Sequence, residues 1–367
     1  MPRGRPPGEQ TVNILIVKLS AIGDVIHTLP AANALRAHYP DAHIAWVVES
    51  AAAPLVQGHP ALNRVIVSRR KAWARDLLSA RRRGPALREL RAFVRALRDT
   101  RYDLIIDFQQ LLKSGAVVAL ARGGVKSGFG PGMQHMEMSY LFLNRRVPRV
   151  SMEHHALPRS LMLLQALGVP AKEVVYRLPV NAADRQDVDG MLAQAGLSGS
   201  RRLVAVNPVA QWETKLWPNR RFARLADRLV LAYGADVVFT GGPEDRPVVA
   251  DIISQMTQPA LDLSGRTRLT TLAALYRRAR LVVSTDTGPM HLAAAVGTPV
   301  AAVFGPTAPW RTGPFGPGHA VVRLGPECSP CFKRICPRGD HLCMAGLGVD
   351  AVLEGIERLG LAPTSGS

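Results

Sequence analysis

What most limits the folds open to this chain is a set of short apolar runs without polar alternation. Residues 12–17, 43–48, 64–68 and 104–107 form one group, and residues 203–206, 236–240, 281–284 and 299–304 form another. A strand that shows one face to water alternates apolar and polar side chains; an unbroken run belongs to a strand covered on both faces. Helical patterns separate these runs, among them residues 85–100, 219–233 and 269–278. Doubly covered strands alternating with helices predict parallel sheets joined by crossover helices, an α/β fold.

A chain of 367 residues exceeds one ordinary domain. Its rhythm pauses near Pro179 and Asn181 and restarts at Leu203, which predicts domains over 1–180 and 181–367. The Pro-, Gly- and Arg-rich first ten residues and residues 363–367 read as loose ends. No run approaches the roughly 18 apolar residues that cross a bilayer. The first apolar run is stopped by Lys18 and is too short for a signal-peptide core, so the chain is expected to stay in the cytoplasm.

Charge is plentiful and uneven. The formal net charge is +18, and residues 60–126 hold 16 basic against 5 acidic side chains. Such a field suits nucleic acid, an anionic membrane face or a phosphorylated substrate; an arginine-favouring genome would also raise the count. Within the helix at 85–100, Leu87, Leu90, Phe93, Val94 and Leu97 make an apolar face. Arg88, Arg91, Arg95 and Arg98 run along another, either as a solvated face or as a stripe toward lipid headgroups. No RNA-reading signature accompanies the charge, and aromatics are few, so a nucleic-acid partner is not expected.

Four segments place chemistry where strands end and helices begin, which is where open α/β sheets bind ligands. Lys18-Leu-Ser-Ala-Ile-Gly-Asp24 puts Asp24 at a helix start, as a cap or as a base. In Asn207-Pro-Val-Ala-Gln-Trp-Glu-Thr-Lys215, Lys215 could neutralise a diphosphate. Thr240-Gly-Gly-Pro-Glu-Asp245 bares backbone at its glycines, and Glu244 could accept hydrogen bonds from ribose hydroxyls. Asp286-Thr-Gly-Pro-Met-His291 offers the free amides of a helix start to an anion, with His291 one turn on.

In this order, with Trp46-Val-Val-Glu49, Asp107-Phe-Gln, Leu112-Lys-Ser114, Lys215-x-Trp-Pro218 and Gly305-Pro-Thr307, the motifs resemble the ADP-heptose:lipopolysaccharide heptosyltransferases of glycosyltransferase family 9. The resemblance spans about residues 14–323. It implies a GT-B fold, two Rossmann-like domains facing across a cleft, with acceptor on the N-terminal and ADP-sugar on the C-terminal half. It implies inverting transfer that needs no metal or other cofactor. Asp24 would be the general base; Lys215 and His291 would attend the diphosphate. Thr240 lies on the donor side, Glu244 would hold the ribose, and Asp286, Thr287 and Gly288 would contact the donor. The opening motif and Trp46-Val-Val-Glu49 look more like the enzymes that add the first heptose to Kdo-lipid A. The second-heptose enzymes, or a GT-B transferase of another nucleotide sugar, are the alternatives. Such an acceptor is multiply anionic and sits in the inner leaflet, so peripheral association with the inner membrane is expected, and Arg69, Arg70, Lys71 and Lys113 are candidate acceptor contacts. Gln110 departs from the pattern, standing where the family has Gly after Asp-Phe-Gln.

Cys328, Cys331, Cys336 and Cys343 fall outside the donor pattern. Clustered thiols in a reducing compartment suggest metal or packing rather than disulfides. The opening Cys-x-x-Cys allows a structural tetrahedral zinc site; ordinary thiols in a folded loop are the alternative.

Overall fold

The computed structural model describes residues 11–133, 137–199 and 202–364. The loose-end expectation for the first ten residues falls outside that set, as do residues 365–367. Thr364 is tied down, its amide donating to the Ala232 carbonyl at 2.8 Å. The chain divides into two compact units, Met1–Pro179 and Val180–Ser367.

The first unit holds β1 (Asn13–Val17), β2 (His43–Glu49), β3 (Arg64–Ser68), β4 (Tyr102–Asp107), β5 (Gly123–Phe129) and β6 (Arg145–Val147). They form one parallel sheet in the order β3-β2-β1-β4-β5-β6. Its helices are α1 (Ile22–His38), α2 (Arg70–Asp76), α3 (Arg83–Arg98), α4 (Leu112–Leu120) and α5 (Ala156–Ala166). Four of the six strands are the ones expected from apolar runs. β5 escaped because glycines and Lys126 break its pattern, and β6 because it is a three-residue edge.

The second unit repeats the plan. It contains β7 (Leu203–Asn207), β8 (Asp236–Phe239), β9 (Leu261–Asp262), β10 (Leu281–Thr285), β11 (Val300–Val303) and β12 (His319–Val322), ordered β12-β11-β10-β7-β8-β9 and all parallel. With them come α6 (Ala182–Gln194), α7 (Asn219–Tyr233), α8 (Arg246–Ser254), α9 (Leu269–Arg278), α10 (Gly288–Ala295), α11 (Pro309–Thr312), α12 (Leu342–Ala345) and α13 (Val349–Glu357). Counted within each unit, both sheets run 3-2-1-4-5-6, the Rossmann order. The switch point, where consecutive crossovers leave a crevice, lies between β1 and β4 in one unit and between β7 and β10 in the other.

Packing follows from spacing. In α7, Phe222, Leu225, Ala226, Leu229 and Tyr233 recur at helical intervals and are buried against the sheet. Each large apolar side chain so buried contributes about 1.5–3 kcal/mol. Gly234, at φ +57°, ends the helix in the left-handed conformation, its amide bonding back to Val230. Trp217 packs edge-on against Phe222, with ring centroids 4.9 Å apart, and donates to the Leu347 carbonyl.

A buried carboxylate joins α6 to α9. Asp184 is 1% exposed and accepts from Thr270 Oγ1 at 2.8 Å, Thr271 Oγ1 at 3.0 Å and the Asn181 amide, with Arg268 at 3.5 Å. Burial raises its pKa, but the Thr270, Asn181 and Thr271 hydrogen bonds and the Arg268 charge together outweigh burial and hold it below the usual range. A depressed carboxylate stabilises the fold above its unfolded pKa, and that contribution disappears as pH falls through the folded value. Asp184→Asn is therefore expected to cost about 1–3 kcal/mol at neutral pH. It should also flatten the loss of stability in the acid range, as read by denaturant unfolding across pH. A variant with the wild-type acid profile would exclude this role.

Candidate active site

At the β1–β4 switch point the Asp-Phe-Gln motif holds the loop that leads to Asp24. Asp107, at the end of β4, is fully buried and accepts from the amides of Gln109 at 2.9 Å and Gln110 at 3.0 Å, and from Ser114 Oγ at 3.0 Å. Burial pushes its carboxyl up, against the pull of these donors and of Lys18. The Phe108 carbonyl accepts from Lys18 Nζ at 3.1 Å. Gln109 Oε1 takes the amides of Leu19 at 3.0 Å and Ser20 at 2.9 Å. Phe108 and Gln109 thus fix the segment after β1, while Asp107 fixes the turn after β4. Lys18 is buried, and desolvation lowers its pKa despite the nearby Asp24 and Asp107 charges.

Asp24 follows in the first turn of α1, where its Oδ2 accepts from the Ala21 amide at 3.1 Å. The helix-cap reading is satisfied without hiding the carboxylate. Asp24 remains partly exposed and lines a cavity of about 240 Å³ with Lys18, His27, Gln109, Gln110 and Arg159, over a floor that includes Phe129, Met133 and Leu163. A carboxylate beside a polar-rimmed cavity with two cationic neighbours can accept a proton from a bound hydroxyl.

Beside this loop, Glu49 at the end of β2 is a hub. Lys113 approaches it at 3.2 Å and Arg70 at 3.3 Å, and Lys113 also bonds Ser20 Oγ. The structure thus brings two of the four candidate acceptor contacts together. It separates the others: Arg69 pairs with Glu89 at 2.9 Å on α3, and Lys71 stands exposed on α2.

In the second unit the β7–β10 switch point is bridged by an ion pair. Lys215 Nζ lies 2.6 Å from Asp286 Oδ2 and 4.6 Å over the Trp212 ring. Thr307, after β11, donates to the same Asp286 oxygen at 2.6 Å. Thr287 precedes α10, Gly288 is its first residue, and His291 is buried within it. Glu244 is exposed and folds over the preceding turn; a Cβ on Gly242 would fall 2.8 Å from its Oε2 and push the carboxylate aside. Thr240 lies deeper: its hydroxyl is fully buried and bonded to Tyr276 at 3.1 Å.

The zinc site allowed by the cysteine spacing is not formed. Among the described residues no group of three or more His, Cys, Asp or Glu side chains is placed to hold a metal ion. The four cysteines are free, half-buried thiols lining a cavity of about 20 Å³. Their segment instead braces the loops that carry Lys215 and Thr307. Thr214 donates to the Lys333 carbonyl at 2.8 Å, the Phe332 amide to Pro306 at 2.8 Å, and Ser329 Oγ to the Gly305 carbonyl.

Residue-by-residue reading missed Gln109, Glu49 and Thr307 as functional groups, although all three lie inside motifs. Their work is to hold neighbours, and it becomes visible only when loops distant in sequence meet.

Two units of Rossmann order, each with charged groups at its switch point, define the GT-B class of glycosyltransferase. The chain belongs to glycosyltransferase family 9 (heptosyltransferase), whose model matches residues 90–341. It is similar to lipopolysaccharide heptosyltransferase 1 of Pseudomonas aeruginosa, with 31% identity over 96% of this chain and 99% of the relative. The enzyme of the same description from Escherichia coli K12 is 30% identical over 86% of this chain and 95% of its own. Among solved structures, E. coli heptosyltransferase WaaC with ADP matches with a TM-score of 0.74 at 28% identity, covering 95% of this chain and all of that one. A family 9 glycosyltransferase from Veillonella parvula has the same fold, with a TM-score of 0.77 at 23% identity over 95% of this chain and 97% of that one.

The structure shows what Gln110 costs at this position. Its φ is +62°, a conformation that suits glycine and strains a side chain, and its amide must stay there to reach Asp107. Gln110→Gly is expected to raise stability by about 0.5–1 kcal/mol, the relief of strain exceeding glycine's larger unfolded-state entropy. Denaturant midpoints of the two proteins measure it. A lower midpoint for the variant would show that the side chain's contacts outweigh the strain.

Proposed function

We propose that this glycosyltransferase moves L-glycero-D-manno-heptose from ADP-heptose to a Kdo hydroxyl of the lipopolysaccharide inner core. The observation that carries this reading is a partly exposed carboxylate, Asp24, on the rim of a cavity that also presents Lys18 and Arg159. The first unit is then the acceptor side and the second the donor side. Heptose as the sugar is supported by relatives named as heptosyltransferases, and ADP as its carrier by the E. coli WaaC complexes with ADP and with ADP-2-deoxy-2-fluoro heptose. First-heptose transfer is favoured over second because the relatives described as heptosyltransferase 1 reach 30–31% identity, against 26–27% for those described as heptosyltransferase 2.

The proposed chemistry is one displacement. The acceptor oxygen forms its bond to the anomeric carbon as the bond from that carbon to the diphosphate oxygen breaks, inverting the centre. The acceptor proton passes to Asp24 in the transition state, and the electron pair leaves with ADP. The charge that grows on the departing diphosphate is met by Lys215 and by the amides at the start of α10, near Thr287 and Gly288, with His291 in support. Glu244 is suited to the ribose hydroxyls, since its carboxylate is exposed in the loop between β8 and α8. Arg70 and Lys113, already gathered at Glu49, are suited to the acid groups of the acceptor. The chain works from the cytoplasmic side, at the inner face of the membrane that holds such an acceptor; among the described residues no helix is long and apolar enough to cross it.

The deciding experiment incubates the full chain with ADP-heptose and Kdo-lipid A and weighs the product. Addition of one heptose is expected; donor cleavage without transfer, or turnover only with another nucleotide sugar, would refute the assignment. Asp24→Ala should bind ADP as wild type does and lose about 10²–10⁴-fold in kcat; undiminished turnover would remove Asp24 from the role of base.

Lys215→Ala tests the donor side separately. Loss of a group that meets the diphosphate in both ground and transition states should raise the donor KM and lower kcat together. Unchanged kinetics would refute the phosphate role.

A further inference from the structure

Most of the apolar face of α3 is used in the fold: Ala86, Phe93 and Leu97 are buried, Leu90 and Val94 are half-buried, Leu87 is exposed, and Phe93 packs 5.2 Å from Trp73 of α2. The opposite face carries Arg88, Arg91, Arg95 and Arg98, all exposed. None has a carboxylate within ion-pair distance among the described residues, because the neighbouring acids are committed elsewhere. Glu89 holds Arg69 and accepts from Trp73 Nε1, Asp99 holds Arg64, and Asp76 holds Arg75 and Arg82. The result is a line of uncompensated guanidinium groups roughly 15 Å long at 1.5 Å rise per residue.

A second feature lies at one end of this line. Leu78, in the turn between α2 and α3, is 86% exposed and has basic neighbours at Arg75, Arg81 and Arg82. A leucine held out in water among arginines contributes nothing to the core. Nucleic acid would use the arginines but has no use for the leucine, and the aromatic rings nearest the stripe, Trp73 and Phe93, are buried and cannot stack on bases. A bilayer with anionic headgroups uses both: the phosphates meet the guanidinium line and the acyl boundary accepts the aliphatic tip.

We propose that the outer face of α3, with the Leu78 turn, is the surface by which this chain docks on an anionic bilayer. The proposal rests on the membrane location proposed above and not on the transfer chemistry. Arg69, Arg70 and Lys71 lie on or beside α2, so docking through α3 holds the acceptor-binding side at the lipid surface from which its substrate projects.

The test is co-sedimentation of the full chain with vesicles of phosphatidylethanolamine and phosphatidylglycerol, with no acceptor lipid present. Wild type is expected to bind, to release as salt is raised, and to ignore phosphatidylcholine vesicles. The triple variant R88Q/R91Q/R95Q should bind about a hundredfold more weakly, roughly five-fold per arginine, which corresponds to about 1 kcal/mol each. Leu78→Asp should weaken binding with every arginine kept, and both variants should unfold thermally as wild type does, since the altered side chains are exposed. Equal sedimentation of wild type and triple variant would overturn the proposal. So would equal binding to neutral vesicles, or displacement from anionic vesicles by a single-stranded oligonucleotide at matched phosphate. Because no transfer is measured, failure of the heptose assignment would leave this result standing, and the reverse also holds.

Discussion

The arrangement depends on what happens to backbone groups where a parallel sheet changes direction. At a switch point two adjacent strands send their chains to opposite sides, and the amides just beyond the strand ends lose their ladder partners. This chain supplies side chains in their place. Gln109 takes two amides after β1, Asp107 takes two after β4, and Thr285 Oγ1 donates to the Val209 carbonyl beyond β7. Buried polar groups satisfied in this way fix loop geometry closely, because each alternative loop leaves a donor unpaired in a low dielectric. The positions of Asp24 and Lys215 follow from that bookkeeping.

Much of the fold was legible because burial on both faces writes itself into sequence as unbroken apolar runs. The strands at the centre of each sheet, β1, β4, β7 and β10, were all readable on that basis, and α7 and α9 coincide with the expected residues. Their neighbours β2, β3, β8 and β11 were readable in the same way, whereas β5, β6, β9 and β12 were not. β9 has two residues and β6 three, too few to show any period, and β12 lies at an edge where Val321 is exposed. Local physics there is weak, and pairing with a neighbour decides the conformation.

The candidate site divides the same way. Asp24, Lys215 and Asp286 stood out because they lie in segments that lead from a strand end to a helix start, although Asp24 also serves as a helix cap. Thr240 shares that position, yet its hydroxyl is spent inside the unit. Glu49 closes an apolar strand and gives no sign in sequence that two cations from other elements will converge on it. The cysteine segment misled for a related reason. Spacing tells which thiols can approach one another, but this segment is held in place by Ser329, Phe332 and Lys333, the residues between the cysteines.

The pairing of Lys215 with Asp286 makes the ammonium a contested resource. Any anion that seeks it competes with a carboxylate already 2.6 Å away, which Thr307 Oγ1 also holds. A small solitary anion has little to offer in exchange, since it gives up its own hydration to break a contact of equal sign and similar strength. A ligand anchored by further groups along the same strand ends makes the exchange at high effective concentration. If Lys215 meets a diphosphate as proposed, prior occupation acts as a threshold that favours extended phosphorylated molecules over small solitary ions.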